Sequence, residues 1–273
     1  KIFFILFFSL IFSIFEFLRG NLLTGFPWNL ISYTWSWSLE SVQILSVIGT
    51  YSLSLISVTL FCIPFIFFQN FFFKANVIFL LVFLSLLVGN YLYGKYKLEN
   101  NSYNYDKNIV VKVVSPSFSL NDYKNRTEKE QLQRLIKISD PDKNKKTIFI
   151  WPEGIFHESY LHEIKQYKNL FDDKFSKNHL IVLGVNNFNN SDNVENKKYF
   201  NSLILLNHKL NILSVYNKIN LVPFGEFLPL EIFLSKFGLK KVTRGYNSFS
   251  AGDMREIVNL GNQFNKKLIL PLI

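Results

Sequence analysis

Charge is distributed so unevenly along these 273 residues that the chain divides into an apolar part and a water-soluble part. From Lys1 through Gly94 the only ionised side chains are Lys1, Glu16, Arg19, Glu40 and Lys74, whereas the remainder carries 27 of the 30 basic and 18 of the 20 acidic residues. A helix of roughly 20 apolar residues satisfies its own backbone and crosses a bilayer. Three stretches approach that length, at about 2–17, 42–68 and 75–93. Between the first two lies a loop over 18–40 holding Trp28, Tyr33, Trp35 and Trp37, amphipathic rings suited to a membrane–water interface. Lys74 falls in a tight turn near 69–76. If it marks the cytoplasmic side, parity puts the aromatic loop and everything after Gly94 on the opposite side.

A polar linker over 95–107 introduces a different pattern. From 108 to 273, short β-branched runs alternate with polar helical stretches, which predicts an α/β layered domain. Ile109–Val114, Thr147–Trp151, Leu180–Val185, Ser202–Leu206 and Leu268–Leu272 read as buried strands; Thr127–Ser139 and His162–Phe175 read as amphipathic helices. Most of the net charge of +10 belongs to this half. Its lysines are scattered among Asn, Asp and Glu, which fits a solvated surface with some attraction to anionic phospholipid. No basic stripe with interleaved aromatics suggests nucleic acid. The single cysteine, Cys62, lies in an apolar run, so no disulfide forms within the chain. Lys1 opens straight onto an apolar stretch with no small-residue cleavage site, which reads as a truncated start rather than a signal peptide.

Two segments carry candidate chemistry. In Ile148-Phe149-Ile150-Trp151-Pro152-Glu153-Gly154 a hydrophobic strand stops at proline and hands Glu153 to the loop beyond its end, where α/β folds place reactive groups. Taken alone, a solvated loop carboxylate is the commoner meaning. In Tyr216-Asn217-Lys218-Ile219-Asn220-Leu221-Val222-Pro223-Phe224-Gly225-Glu226-Phe227, an apolar turn separates Lys218 from Glu226 and would fix their directions; alone, it is an ordinary surface turn.

Together these segments resemble the nitrilase superfamily, and with membrane spans attached they resemble its apolipoprotein N-acyltransferase branch. Trp151–Gly154 is similar to that family's WPES motif, and Tyr216–Glu226 matches Y-x-K-x-x-L-V-P-F-G-E at every fixed position. Glu16–Gly20 and Leu23–Trp28 match EFLRG and LTGFPW, and Phe249-Ser250-Ala251-Gly252 matches F-S-x-G. The resemblance implies an α–β–β–α sandwich after the spans, located in the bacterial inner membrane with the catalytic domain periplasmic, and working as a monomer. It further implies acyl transfer from a phospholipid to the N-terminal amine of a diacylglyceryl-cysteine lipoprotein through a thioacyl enzyme, without metal or cofactor. Glu153 would be the acid–base group, Lys218 the oxyanion partner and Glu226 their support. Trp28, Tyr123, Pro223 and Phe224 would contact substrate. Gly154, where the family commonly has Ser, and Tyr123, near where a Trp is often found, depart from the pattern. The family's nucleophilic cysteine follows a strand like Leu268–Ile273 and would come after Ile273, so the resemblance implies a fragment lacking both its first spans and its nucleophile, inactive as it stands. Cys62, inside an apolar span and before Glu153, does not fit that place.

The rival enzyme reading is a membrane-tethered nitrilase-type amidase that passes its acyl group to water, with a dispensable membrane part. A membrane-anchored binding or sensor protein leaves the Tyr216–Glu226 match unexplained. His157 and His162 are five apart, one too many for H-E-x-x-H, and no Walker A, G-x-S-x-G or G-x-G-x-x-G string occurs.

Overall fold

The computed structural model describes residues 1–67, 74–101, 107–189, 197–238, 248–255, 257–260, 264 and 267–269. The chain folds as two compact units, Lys1–Asn104 and Tyr105–Ile273.

The first unit is helical. α1 (Ile2–Asn21) buries Ile5, Ser9, Ser13, Glu16 and Gly20, positions three or four apart that form one stripe, and it packs on α4 (Thr50–Cys62). Its exposed surface is the apolar one: Phe3, Phe4, Phe7, Phe8, Phe15 and Phe17 all face outward. A water-facing helix has the opposite distribution, polar outside and apolar inside. Small and polar residues between helices with Phe and Leu outside is the arrangement suited to lipid. Two 3₁₀ turns, Leu22–Thr24 and Ile31–Trp35, follow α1. The second is tied inward by polar side chains: Ile31 N–H donates to Glu16 Oε1 (2.8 Å), and Trp35 Nε1 donates to Ser57 Oγ (2.6 Å).

The apolar stretch expected as one span over 42–68 is divided. It forms α2 (Leu39–Val42), α3 (Leu45–Ile48), α4 and α5 (Pro64–Phe67), interrupted by Gly49 at φ +76°, a conformation that continues no right-handed helix. α6 (Lys74–Asn100) absorbs the third expected span and much of the expected linker. Among the described residues, two helices, Ile2–Thr24 and Lys74–Asn100, are long and apolar enough to cross a membrane. The part of the expected turn before Lys74 lies largely outside the described residues.

The second unit is α/β. β1 (Val110–Val113) is followed by α7 (Leu120–Asn125) and α8 (Glu128–Ser139), each opened by a capping box, Ser119 with Asp122 and Thr127 with Glu130. Then come β2 (Thr147–Ile150), β3 (Phe156–Tyr160), a 3₁₀ helix (Leu161–Tyr167), α9 (Lys168–Asp172), β4 (His179–Phe188), β5 (Tyr199–Asn207) and β6 (Ile212–Asn217). α10 (Glu231–Leu234), a 3₁₀ turn (Ser235–Phe237), β7 (Ile257–Asn259) and β8 (Lys267–Ile269) complete the described elements. The sheet order is β1-β2-β4-β5-β6, with β3 also on β4; β1, β2, β3 and β4 run parallel, β5 runs antiparallel to β4, and β6 antiparallel to β5. β7 and β8 pair separately. Residues 270–272 of the last expected strand lie outside the described residues.

Because strand side chains alternate, the sheet buries two different sets. Phe149, Ile181, Leu183, Ile204 and Leu206 pack with Leu132, Leu135, Ile164 and Phe171 of the helical layer. Ile148, Leu180, Val182 and Leu205 pack on the other face with Val258, Leu260 and Phe264. Helices thus cover one face and the β7–β8 segment covers the other. Burial on both faces explains why β2, β4 and β5 read as continuous apolar runs, whereas β1, expected to be buried, is an edge strand with Val110, Val111 and Val113 exposed.

Candidate active site

β2 pairs with the first half of β4, and β3 pairs with its second half, so the turn between them crosses β4 near Gly184. Trp151 extends β2 by one rung, its N–H donating to Val182 O (2.8 Å), and its buried indole donates to Ser139 Oγ (2.9 Å). With Trp151 anchored in the core, Glu153 is carried out to an exposed position over Gly184. A Cβ on Gly184 would stand 3.1 Å from Glu153 Cα and 3.3 Å from its Cγ. Gly184 lies on the face shared by Leu180 and Val182, so Glu153 is on the β7–β8 side of the sheet.

Lys218 follows the last residue of β6. Its N–H donates to Asn201 O on β5 (2.8 Å), and its carbonyl accepts Gly252 N–H (2.9 Å). Gly252 closes against Asn217, whose carbonyl occupies the space a Cβ would take. The Val222–Phe227 turn is closed by Glu226 N–H to Val222 O (2.8 Å) and Phe224 N–H to Phe227 O (2.7 Å), with Phe224 at φ +62° and exposed. This turn folds Glu226 back on Lys218: Nζ donates to Glu226 Oε1 (3.0 Å), with both side chains largely buried. Glu226 Oε2 accepts Val222 N–H (2.8 Å). A buried carboxylate needs such partners, and here backbone and ammonium supply them.

Glu153 joins this pair through Asn201, a residue that the sequence motifs do not single out. Asn201 Nδ2 donates to Glu153 Oε1 (2.5 Å) and to Glu226 Oε1 (2.8 Å). The hydrogen-bonded cluster is therefore Glu153–Asn201–Glu226–Lys218. Pro223 and Phe224 lie on the turn that holds Glu226. Tyr123 belongs to α7 and packs edge-on against Phe118 (6.1 Å between ring centres); burial and the neighbouring Asp122 push its hydroxyl pKa above the ordinary tyrosine value. Trp28 is on the helical unit, exposed, its ring 5.1 Å from that of Phe26. A groove lined by Gln133, Ile136, Asp140, Asn169 and Lys174 belongs to the helical layer and holds none of the cluster residues. Among the described residues no group of three or more His, Cys, Asp or Glu could hold a metal ion.

Apolar-faced helices joined to an α/β domain that gathers two carboxylates, an amide and a lysine define a membrane-associated α/β protein with a hydrogen-bonded polar cluster on one face of its sheet. Residues 1–63 match the family model described as the apolipoprotein N-acyltransferase N-terminal domain. A curated apolipoprotein N-acyltransferase of Rhodopseudomonas palustris is 28% identical over 273 residues, covering 96% of this chain and 50% of the relative. One of Brucella melitensis is 29% identical over 279 residues, 98% of this chain and 51% of the relative, and one of Rickettsia prowazekii is 28% identical over 249 residues, 91% and 49%. These matches agree with the resemblance carried by the motifs: the chain is similar to apolipoprotein N-acyltransferases along nearly all of its own length. It spans about half the length of the curated relatives it matches.

Proposed function

We propose that the natural protein carrying this chain transfers an acyl chain from a membrane phospholipid to the N-terminal amine of a lipid-modified lipoprotein, in the bacterial inner membrane with the α/β unit periplasmic. The observation that carries this reading is the Glu153–Asn201–Glu226–Lys218 cluster beside strand ends of an α/β domain that follows apolar-faced helices. In this reading the β7–β8 segment belongs to the second sheet of a nitrilase-like sandwich, and the protein acts as a monomer.

The chemistry assigns each group a task. A thiol attacks an ester only as thiolate, so Glu153 takes the thiol proton as the sulfur adds to the carbonyl carbon of the donor. Negative charge builds on the carbonyl oxygen, and the Lys218 ammonium, held by Glu226, stabilises it. The carbon–oxygen ester bond breaks, Glu153 returns its proton to the departing lysophospholipid oxygen, and a thioester remains. The lipoprotein amine then attacks the thioester, Glu153 accepts the amine proton and passes it to the leaving thiolate, and an amide forms. The only cysteine among the 273 residues is Cys62, at the end of α4 in the helical unit, so this scheme draws its thiol from outside them. Pro223, Phe224, Tyr123 and exposed Trp28 are proposed to contact the substrates.

The test uses the natural protein in detergent, a phospholipid with a labelled acyl chain and a diacylglyceryl-cysteine peptide. Glu153→Gln and Lys218→Met should each lower transfer by about 10²-fold or more with the fold intact. Transfer at the wild-type rate by either variant would contradict the assignment.

A further inference from the structure

Asn201 lies in mid-sheet register, opposite Asn186 of β4, and its carbonyl receives Lys218 N–H from the other side. Its backbone is therefore fixed by both neighbouring strands, and its side chain leaves the sheet on the Gly184 face. There one atom meets two carboxylates: Glu153 Oε1 at 2.5 Å and Glu226 Oε1 at 2.8 Å. Ionised carboxylates only accept hydrogen bonds, so the atom between them is the amide nitrogen, with one hydrogen for each. Two acceptor groups sharing one nitrogen are necessarily close, and like charges at such range repel unless a donor stands between them. A hydroxyl offers one hydrogen and an ammonium adds a charge; an amide offers two hydrogens and stays neutral.

We propose that Asn201 is a positioning residue that couples the acid–base carboxylate to the Lys218–Glu226 pair, a role that rests on the acyl-transfer reading above. It fixes where Glu153 stands relative to the cation that meets the developing charge, and it lets two carboxylates occupy one site without a second cation. Glu226 contributes the other half of this frame, since its Oε1 is shared by Lys218 and Asn201 while Oε2 is held by Val222 N–H. Among the described residues, Asn201 is the hydrogen-bond partner of the Glu153 carboxylate, so removing the amide releases that side chain on its exposed turn.

The experiment measures transfer by the natural protein and its Asn201→Ala and Asn201→Asp variants, with kcat, donor KM and Tm for each at about pH 8 and about pH 6. Asn201→Ala should lower kcat by about tenfold or more while donor KM changes less than about threefold, since orientation and not substrate affinity is lost. Asn201→Asp has the same shape but replaces the donor with an anion, so its deficit at about pH 8 should be larger. On acidification its activity relative to wild type should rise, because the introduced carboxyl, once protonated, again donates a hydrogen bond. A purely structural role gives no such recovery. The proposal is overturned if Asn201→Ala keeps kcat within about twofold of wild type, or if the Asn201→Asp deficit is independent of pH and follows a loss of Tm. Absence of transfer by the wild-type protein, or full activity of Glu153→Gln, is a different result: it sinks the acyl-transfer reading, and this role falls with it.

Discussion

Gly184 shows how narrowly the position of Glu153 is set. The space a side chain would use is taken by the backbone and first methylenes of Glu153, and a methyl group at 3.1 Å and 3.3 Å pushes that turn by a few tenths of an ångström. Under the proposed role of Glu153 as acid–base group, Gly184→Ala should lower transfer by about tenfold, since small misplacements of a reacting group are costly, while Tm shifts only slightly. Steady-state kinetics beside thermal unfolding checks this; unchanged kcat would show that the turn relaxes freely. A second residue-scale effect is independent of the site. His179 is buried at the start of β4, its Nδ1 accepting Ser176 N–H (3.1 Å) and its Nε2 placed 2.9 Å from Asp142 O. Burial lowers its pKa from the ordinary 6.5, despite the opposing pull of Asp142. The unfolded chain thus takes up this proton at higher pH than the fold does. Stability from the neutral ring is complete above the unfolded value and is lost as pH falls below about 6.5 toward the folded value. The urea midpoint of the wild type should fall on acidification through that window, and His179→Gln should remove that part of the slope. At this scale Glu153, Lys218 and Glu226 are legible in the sequence because local motifs carry them. Asn201 is not: its role depends on β5 lying between β4 and β6, a register that no neighbouring residue announces.

Among the elements, α8 shows how a helix holds the turn after β2. Glu128, wholly buried at its first residue, accepts Glu158 N–H (2.8 Å), Ser159 N–H (3.1 Å) and the Ser159 hydroxyl (2.6 Å), fastening β3 to the helix. Glu128→Ala leaves three donors without their acceptor and should cost about 2–4 kcal/mol, read as a lower urea midpoint at pH 7. In the helical unit, Gly94 of α6 meets the Glu40 backbone of α2 where a Cβ would stand. Gly94→Val should lower the detergent-state Tm, whereas the same change at Gly89, which has open space around it, should not. Strands buried on both faces are legible as apolar runs. β3 escapes such a pattern because Phe156–Tyr160 is largely polar and pairs only partly with β4. β6 escapes it because Ile212–Asn217 is a half-exposed edge strand. The amphipathic pattern over 162–175 reads as one helix, but it forms a 3₁₀ stretch and the short α9, a change of pitch that similar apolar spacing accommodates. Gly49 likewise splits a stretch that composition alone reads as continuous.

At the scale of the whole molecule, the charge boundary near Gly94 anticipates two bodies, and the chain separates at Asn104 because α6 runs on as a helix past its apolar part. The helical unit turns small and polar residues inward and phenylalanines outward; the α/β unit does the reverse, and each suits its own solvent. A reaction joining two lipid-anchored substrates needs both bodies, whereas hydrolysis of a soluble amide needs only the second. The most direct measurement is intact-mass analysis of the natural protein after incubation with a phospholipid donor, before and after a diacylglyceryl-cysteine peptide is added. The account predicts a hydroxylamine-sensitive acyl adduct that the peptide discharges as an amide, absent in Glu153→Gln. No adduct with active donor, or an adduct that water alone discharges while the peptide stays unmodified, would contradict it.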